Sequence, residues 1–188
     1  WLDLDLEPGP VEEVLAADPL LAPLLERHPG LRIVGHPYPF EAAVTTVVGQ
    51  RVSLAAARVF AHRLVEHLAP GAEQGQGLRA FPRPEELARQ DPEQLRAVVG
   101  LTGARARTVV ELGRLFAEGF DPHAPEIEQV RARLLAVPGI GPWTVEYLAV
   151  LILGDRDAYP SGDLVLQRAL GVRSAREAEA LAEGWRPW

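Results

Sequence analysis

Residues 134–149 read L-L-A-V-P-G-I-G-P-W-T-V-E-Y-L-A, and this stretch decides the fold. The pattern predicts a helix over 126–135 that Val137, Pro138, Gly139, Ile140 and Gly141 cannot continue. A second helix is predicted over 142–153, with Pro142 at its first position and Gly141 as its cap. The result is helix, tight hairpin, helix, spanning about 127–153. A helix N-terminus offers unpaired amides and the positive end of the dipole, and glycine lets a second backbone come close. Gly139, Gly141 and Thr144 are therefore candidate amide donors to a phosphate, the alternative being a plain corner between two helices. Trp143 and Tyr147 lie four apart and share one face of the second helix, either as a stacking wall or as core.

Upstream of the hairpin the helical pattern persists. Helices are predicted at 83–90, at 92–98 with Asp91 as N-cap, and at 104–118 with Val109, Leu112 and Phe116 on the apolar side. Between the last two, Gly100, Leu101, Thr102 and Gly103 repeat the hairpin's grammar without its proline. Arg105 and Arg107 just beyond are either phosphate contacts or solvated charges. Further back, Phe40, Ala43, Val44, Val47 and Val48 form one helical face, Gly49-Gln50-Arg51-Val52 breaks it, and Ser53 caps a helix running to about residue 68. A Gly- and Gln-rich loop covers 71–77. Residues 1–38 carry six prolines, which restricts them to a lead-in with short helices near 11–17 and 20–27. No segment alternates with period two for long, so the class is all-α, a single domain over 1–188 that is at most two-lobed.

Composition excludes whole classes of chemistry. The 188 residues contain no Cys, hence no disulfide, iron–sulfur cluster or thiolate zinc site. All 19 basic residues are Arg, so a lysine Schiff base and a P-loop are excluded as well. The five His lack the i, i+4 spacing of a helical metal pair. No apolar run is long enough to span a membrane, and nothing resembles a signal peptide, so a bacterial cytoplasmic location is expected. With no Met at residue 1 and an abrupt stop at Trp188, the chain is expected to be processed or partial. Net charge is −7, but residues 31–114 carry eleven Arg against eight acids, so a polyanionic partner remains compatible.

Downstream, Gly154 to Gly162 form a loop ending at Asp163, followed by the apolar start Leu164, Val165, Leu166. Asp163 reads two ways: as the N-cap of that helix, or as a functional carboxylate twenty residues after Trp143. Asp155 and Asp157 read as solvated loop charges.

The hairpin, the Asp163 segment, the Val47–Ser53 stretch and the closing W-R-P-W together resemble the helix-hairpin-helix DNA glycosylase superfamily, and residues 38–188 resemble its alkylpurine branch. The resemblance implies a two-lobed helical bundle that flips an alkylated base of the 3-methyladenine or 7-methylguanine type out of duplex DNA and hydrolyses its glycosidic bond. It implies Asp163 as the catalytic carboxylate, Trp143 and Tyr147 as base pocket, and Gly139, Gly141 and Thr144 as phosphate donors. Gln50 and Arg51 take the position of the wedge that enters the DNA, where the other reading of Arg51 is a surface charge. The backbone carbonyls of Leu135, Val137 and Ile140 would hold Na+ or K+, no cofactor would be required, and the protein would act as a monomer on damaged double-stranded DNA. Larger members of the family carry an N-terminal mixed α/β domain and a final helix with a pocket tryptophan, neither of which falls within these residues. Two alternatives stand beside this reading: a non-catalytic helix-hairpin-helix DNA-binding module, and an all-α protein-interaction domain.

Cleaving the DNA strand after base loss requires an amine nucleophile, and the only primary amine in these 188 residues is the N-terminus. Borohydride is expected to trap little covalent protein–DNA adduct, leaving an intact abasic site; efficient strand cleavage under mild conditions would contradict this.

Overall fold

The computed structural model describes residues 2–68, 73–74 and 78–188, and these are mostly helical. The chain forms two compact units: one is Tyr38–Val145, and the other joins the chain before Tyr38 to the chain from Glu146 onward. Among the described residues, no helix is long and apolar enough to cross a membrane.

In the lead-in, α1 (Pro8–Ala16) starts earlier than the sequence pattern suggests. Pro8 and Pro10 fall in its first turn, where amides lack helical partners and proline is tolerated. Helix α2 (Ala22–Arg27) follows, with Pro23 in its first turn.

In the unit Tyr38–Val145, α3 (Pro39–Gly49) buries Ala42, Ala43, Val44, Val47 and Val48. Ser53 Oγ accepts the Ala56 amide at 3.2 Å and so caps α4 (Leu54–Leu68), as its sequence predicts. Much of the 71–77 loop lies outside the described residues. Glu73–Gln74 (β1) pairs antiparallel with Leu78–Arg79 (β2), a small departure from an all-helical reading; two residues are too few to show alternation in sequence. Helix α5 (Pro84–Ala88) is followed by α6 (Pro92–Val99), where Asp91 Oδ1 accepts the Glu93 and Gln94 amides, each at 2.9 Å. Helix α7 (Gly103–Ala117) is capped by Thr102 and buries Val109, Val110 and Leu112. Phe116 on α7 joins Phe40 and Phe120 in an aromatic row, with ring centroids 5.2 and 5.0 Å apart. Helices α8 (Ile127–Leu135) and α9 (Pro142–Leu148) complete the predicted hairpin, and the boundary between the units falls inside α9.

The second unit contains a correction. The predicted α-helix over 142–153 ends at Leu148, and Ala149–Leu153 winds as a π-helix closed by Gly154 in the left-handed region. The Leu151 carbonyl accepts the His36 amide at 2.8 Å, tying the lead-in to this segment. Asp163 caps α10 (Leu164–Leu170), and α11 (Ala175–Ala182) is a further helix. Buried Trp185 donates from Nε1 to Asp18 Oδ2 at 2.8 Å. That bond, helped by the Leu20 amide, holds the Asp18 carboxyl below its ordinary range.

Helices α5 and α7 touch through Gly113. A Cβ there would lie 2.7 Å from the Ala88 nitrogen and 3.0 Å from the Leu87 carbonyl carbon, both of them backbone atoms that cannot step aside. Gly113→Ala is expected to cost about 1–3 kcal/mol in urea unfolding, because the overpacked helices must separate. Gly9→Ala, whose Cβ meets nothing within 4 Å, should stay within about 0.5 kcal/mol of the parent. Equal midpoints for the two variants would refute the close approach.

Candidate functional site

The turn between α8 and α9 is built by three backbone bonds. The Val137 amide donates to Leu134 at 3.1 Å, Ile140 to Val137 at 3.0 Å, and Val145 to Gly141 at 3.1 Å. Val137 and Ile140 point inward and are buried, whereas Leu135 is exposed. Gly139 has φ +91°, which an L side chain adopts only under strain. Among the described residues, the amides of Gly139, Gly141 and Thr144 take no backbone carbonyl as partner. Two of them lie in the turn and the third in the first turn of α9, the arrangement expected of an anion site.

A threonine on α7 holds this turn in place. Thr108 is buried, and its Oγ1 lies 2.7 Å from the Pro138 carbonyl and 3.0 Å from the Ala104 carbonyl, sharing one proton between them. A Cβ on Gly139 would overlap Thr108 Oγ1. Glycine is required at 139 for its backbone angle and also for this contact, which the sequence gives no means of seeing.

The Gln50–Arg51 turn belongs to the same unit. Gln50 Nε2 donates to Thr144 Oγ1 at 3.0 Å, across 94 residues of sequence. Its carbonyl accepts from Arg105 Nη2 at 2.5 Å. Arg51 is exposed and has φ +54°, a left-handed conformation that is unusual for a side-chain-bearing residue. Arg105, read from sequence either as a phosphate contact or as a solvated charge, thus directs at least one of its five donors to the turn. Thr144 is buried, and its hydroxyl receives Gln50.

Tyr147 and Asp163 belong to the other unit. Tyr147 is 37% exposed, and helical geometry over Pro142–Leu148 gives it the i, i+4 spacing to Trp143 that the sequence predicts. Asp163 is half-buried, and its Oδ1 accepts the Val165 and Leu166 amides at 2.8 and 3.0 Å. The capping role is therefore present, and it fixes the direction of the carboxylate. Leu164 and Val165 beside it are 65% and 72% exposed, leaving an apolar surface next to a fixed negative charge. Asp157 is not a plain solvated charge, because it pairs with Arg186; Asp155 Oδ1 accepts the Asp157 amide at 3.1 Å. Among the described residues, no group of three His, Cys, Asp or Glu side chains could hold a metal ion.

A family model described as "HhH-GPD superfamily base excision DNA repair protein" matches residues 44–183. A Mycobacterium tuberculosis H37Rv protein named "Probable bifunctional transcriptional activator/DNA repair enzyme AlkA" is 38% identical over 196 residues, covering 100% of this chain and 38% of the relative. The DNA-3-methyladenine glycosylase 2 of Escherichia coli K12 is 33% identical over 163 residues, covering 85% of this chain and 57% of the relative. The chain thus spans less than two thirds of the length of either. The crystal structure of a DNA-3-methyladenine glycosidase from Bacillus halodurans matches with a TM-score of 0.72 at 26% identity, covering 96% of this chain and 83% of that one.

The contact between Gly139 and Thr108 predicts a coupled pair. Gly139→Ala carries backbone strain of about 1–3 kcal/mol and the overlap with Thr108 in addition. In a Thr108→Ala background the overlap disappears and the strain remains, so Gly139→Ala should cost measurably less there in a urea-unfolding double-mutant cycle. Strict additivity would mean that the turn does not rest on Thr108.

Proposed function

Because the chain belongs to the HhH-GPD superfamily of base excision DNA repair proteins, we propose that it excises alkylated bases from duplex DNA as a monomeric, hydrolytic glycosylase. One observation carries the reading: the matched span, residues 44–183, includes the Gln50–Arg51 turn, the hairpin and Asp163 together. The names of the relatives support the substrate class, and the fold of the hairpin supports DNA as the partner.

The duplex backbone sits on the hairpin, where the Gly139, Gly141 and Thr144 amides donate to a phosphate and the glycines allow close approach. Arg51 fills the space a flipped nucleotide leaves, which offsets part of the cost of unstacking. Trp143 and Tyr147 stack on the extruded base. A cationic alkylated purine leaves as a neutral molecule, so the group needed most is one that stabilises the oxocarbenium charge developing on the sugar. Asp163 supplies it as a carboxylate held in a fixed direction by two amides, and it also orients the attacking water. Absence of Lys from the sequence is consistent with hydrolysis that stops at the abasic site.

The same reading includes Na+ or K+ at the carbonyls of Leu135, Val137 and Ile140, a set of hard oxygen donors suited to such an ion. The Val137 carbonyl keeps a second lone pair after accepting the Ile140 amide. When bound, the ion would stiffen the turn and add positive charge beside the phosphate.

Asp163→Asn keeps a capping oxygen but loses the charge. Release of 7-methylguanine from duplex DNA by this variant is expected to fall at least about 100-fold with duplex affinity unchanged. Excision at the parent rate would remove Asp163 from the mechanism. No release by the parent protein, with duplex binding intact, would favour a non-catalytic DNA-binding module.

A further inference from the structure

The Gln50–Arg51 turn is held from two directions. Arg51 sits at φ +54°, which for a side-chain-bearing residue persists only where neighbouring contacts impose it. The peptide entering Arg51 is the one whose carbonyl, on Gln50, accepts Arg105 Nη2. The peptide before it is tied down as well, since the Gln50 nitrogen donates to the Val47 carbonyl at 3.3 Å at the end of α3. The Gln50 side chain reaches Thr144 at the first turn of α9. Arg105 and Thr108 are three apart on α7, hence on one side of it, and each bonds a carbonyl from a different turn: Gln50 for the first, Pro138 for the second. One helix therefore fixes both the turn that carries Arg51 and the hairpin.

We propose that Arg105 is a positioning residue that holds the Gln50–Arg51 turn in the shape from which Arg51 enters the duplex. Half-buried Arg105 acts through the Gln50 carbonyl, and its effect on the reaction passes entirely through Arg51. This rests on the glycosylase reading above. It differs from a phosphate-contact role, in which loss of Arg105 would weaken every duplex and flatten the salt dependence of binding. It also differs from a role in the core, where any truncation would act through stability.

The test uses the 188-residue protein with Arg105→Ala, Arg105→Lys, Arg51→Ala and the Arg51→Ala/Arg105→Ala double variant. The substrate is a duplex carrying 7-methylguanine, with 2-aminopurine as its neighbour so that unstacking is read by fluorescence independently of base release. At saturating protein, Arg105→Ala is expected to lose most of the fluorescence rise and to slow single-turnover release about tenfold, with undamaged-duplex affinity and its salt dependence unchanged. Arg105→Lys, which keeps a donor, should recover part of both. In the Arg51→Ala background, Arg105→Ala should add nothing. Additive losses in the double variant, or a salt dependence lowered by Arg105→Ala, would overturn the proposal in favour of a phosphate contact. Parent-like fluorescence and release by Arg105→Ala would overturn it outright. A parent protein that unstacks the neighbour but releases no base contradicts the glycosylase reading alone, and the fluorescence of the variants then decides the role of Arg105. A parent that does neither overturns both.

Discussion

The hairpin keeps its shape because Thr108 on α7 reaches a carbonyl at Pro138 and leaves no room for a side chain on Gly139. A tight turn between two short helices has little stability of its own, since α9 contributes only seven residues before the winding changes. Seating it on a fifteen-residue helix whose inner side is fully packed transfers that rigidity to the turn. The amides of Gly139, Gly141 and Thr144 are held in place by this seating, so the phosphate proposed to bind there would meet little ordering cost. The same helix carries Arg105 to the carbonyl of Gln50, and Gln50 closes the circuit by bonding Thr144. Within the unit Tyr38–Val145, two turns far apart in sequence are thereby fixed by one element.

Much of this was legible in the sequence, and the limit of legibility has a physical basis. Capping and proline rules act within a few residues, so Ser53, Asp91 and Asp163 announced the starts of their helices, and P-G-I-G announced the hairpin. Helix α11 carries its own signal, Ser174 followed three residues later by Glu177, and Ser174 Oγ accepts the Glu177 amide. The early start of α1 and the π-helical turn at Ala149–Leu153 were not legible. Proline at a first turn looks like a break when no end is known, and the five residues Ala149–Leu153 are all apolar, so no spacing distinguishes π from α winding there.

Contacts between elements were the least legible. Gln50 with Thr144, Arg105 with Gln50 and Thr108 with Pro138 join residues 94, 55 and 30 positions apart. Spacing tells which side of a helix a residue occupies, and says nothing about which element faces that side. Gly113 illustrates the point: its position on α7 looks ordinary until the backbone of α5 is seen against it. Candidate functional residues, such as Asp163 and Arg51, could be named from the family resemblance. The bond from Arg105 that holds the Gln50–Arg51 turn could not.

In the proposed function, Asp163 presents a fixed carboxylate to a sugar whose base is already a good leaving group. Leaving-group chemistry then governs the rate, because the proposed machinery supplies no acid to protonate a neutral base. The most direct test is single-turnover release of 7-methylguanine and of uracil from otherwise identical duplexes at saturating protein. Release of the cationic purine is expected to be at least about 100-fold faster, a transition-state difference of roughly 2.7 kcal/mol. Comparable rates for the two bases would contradict it.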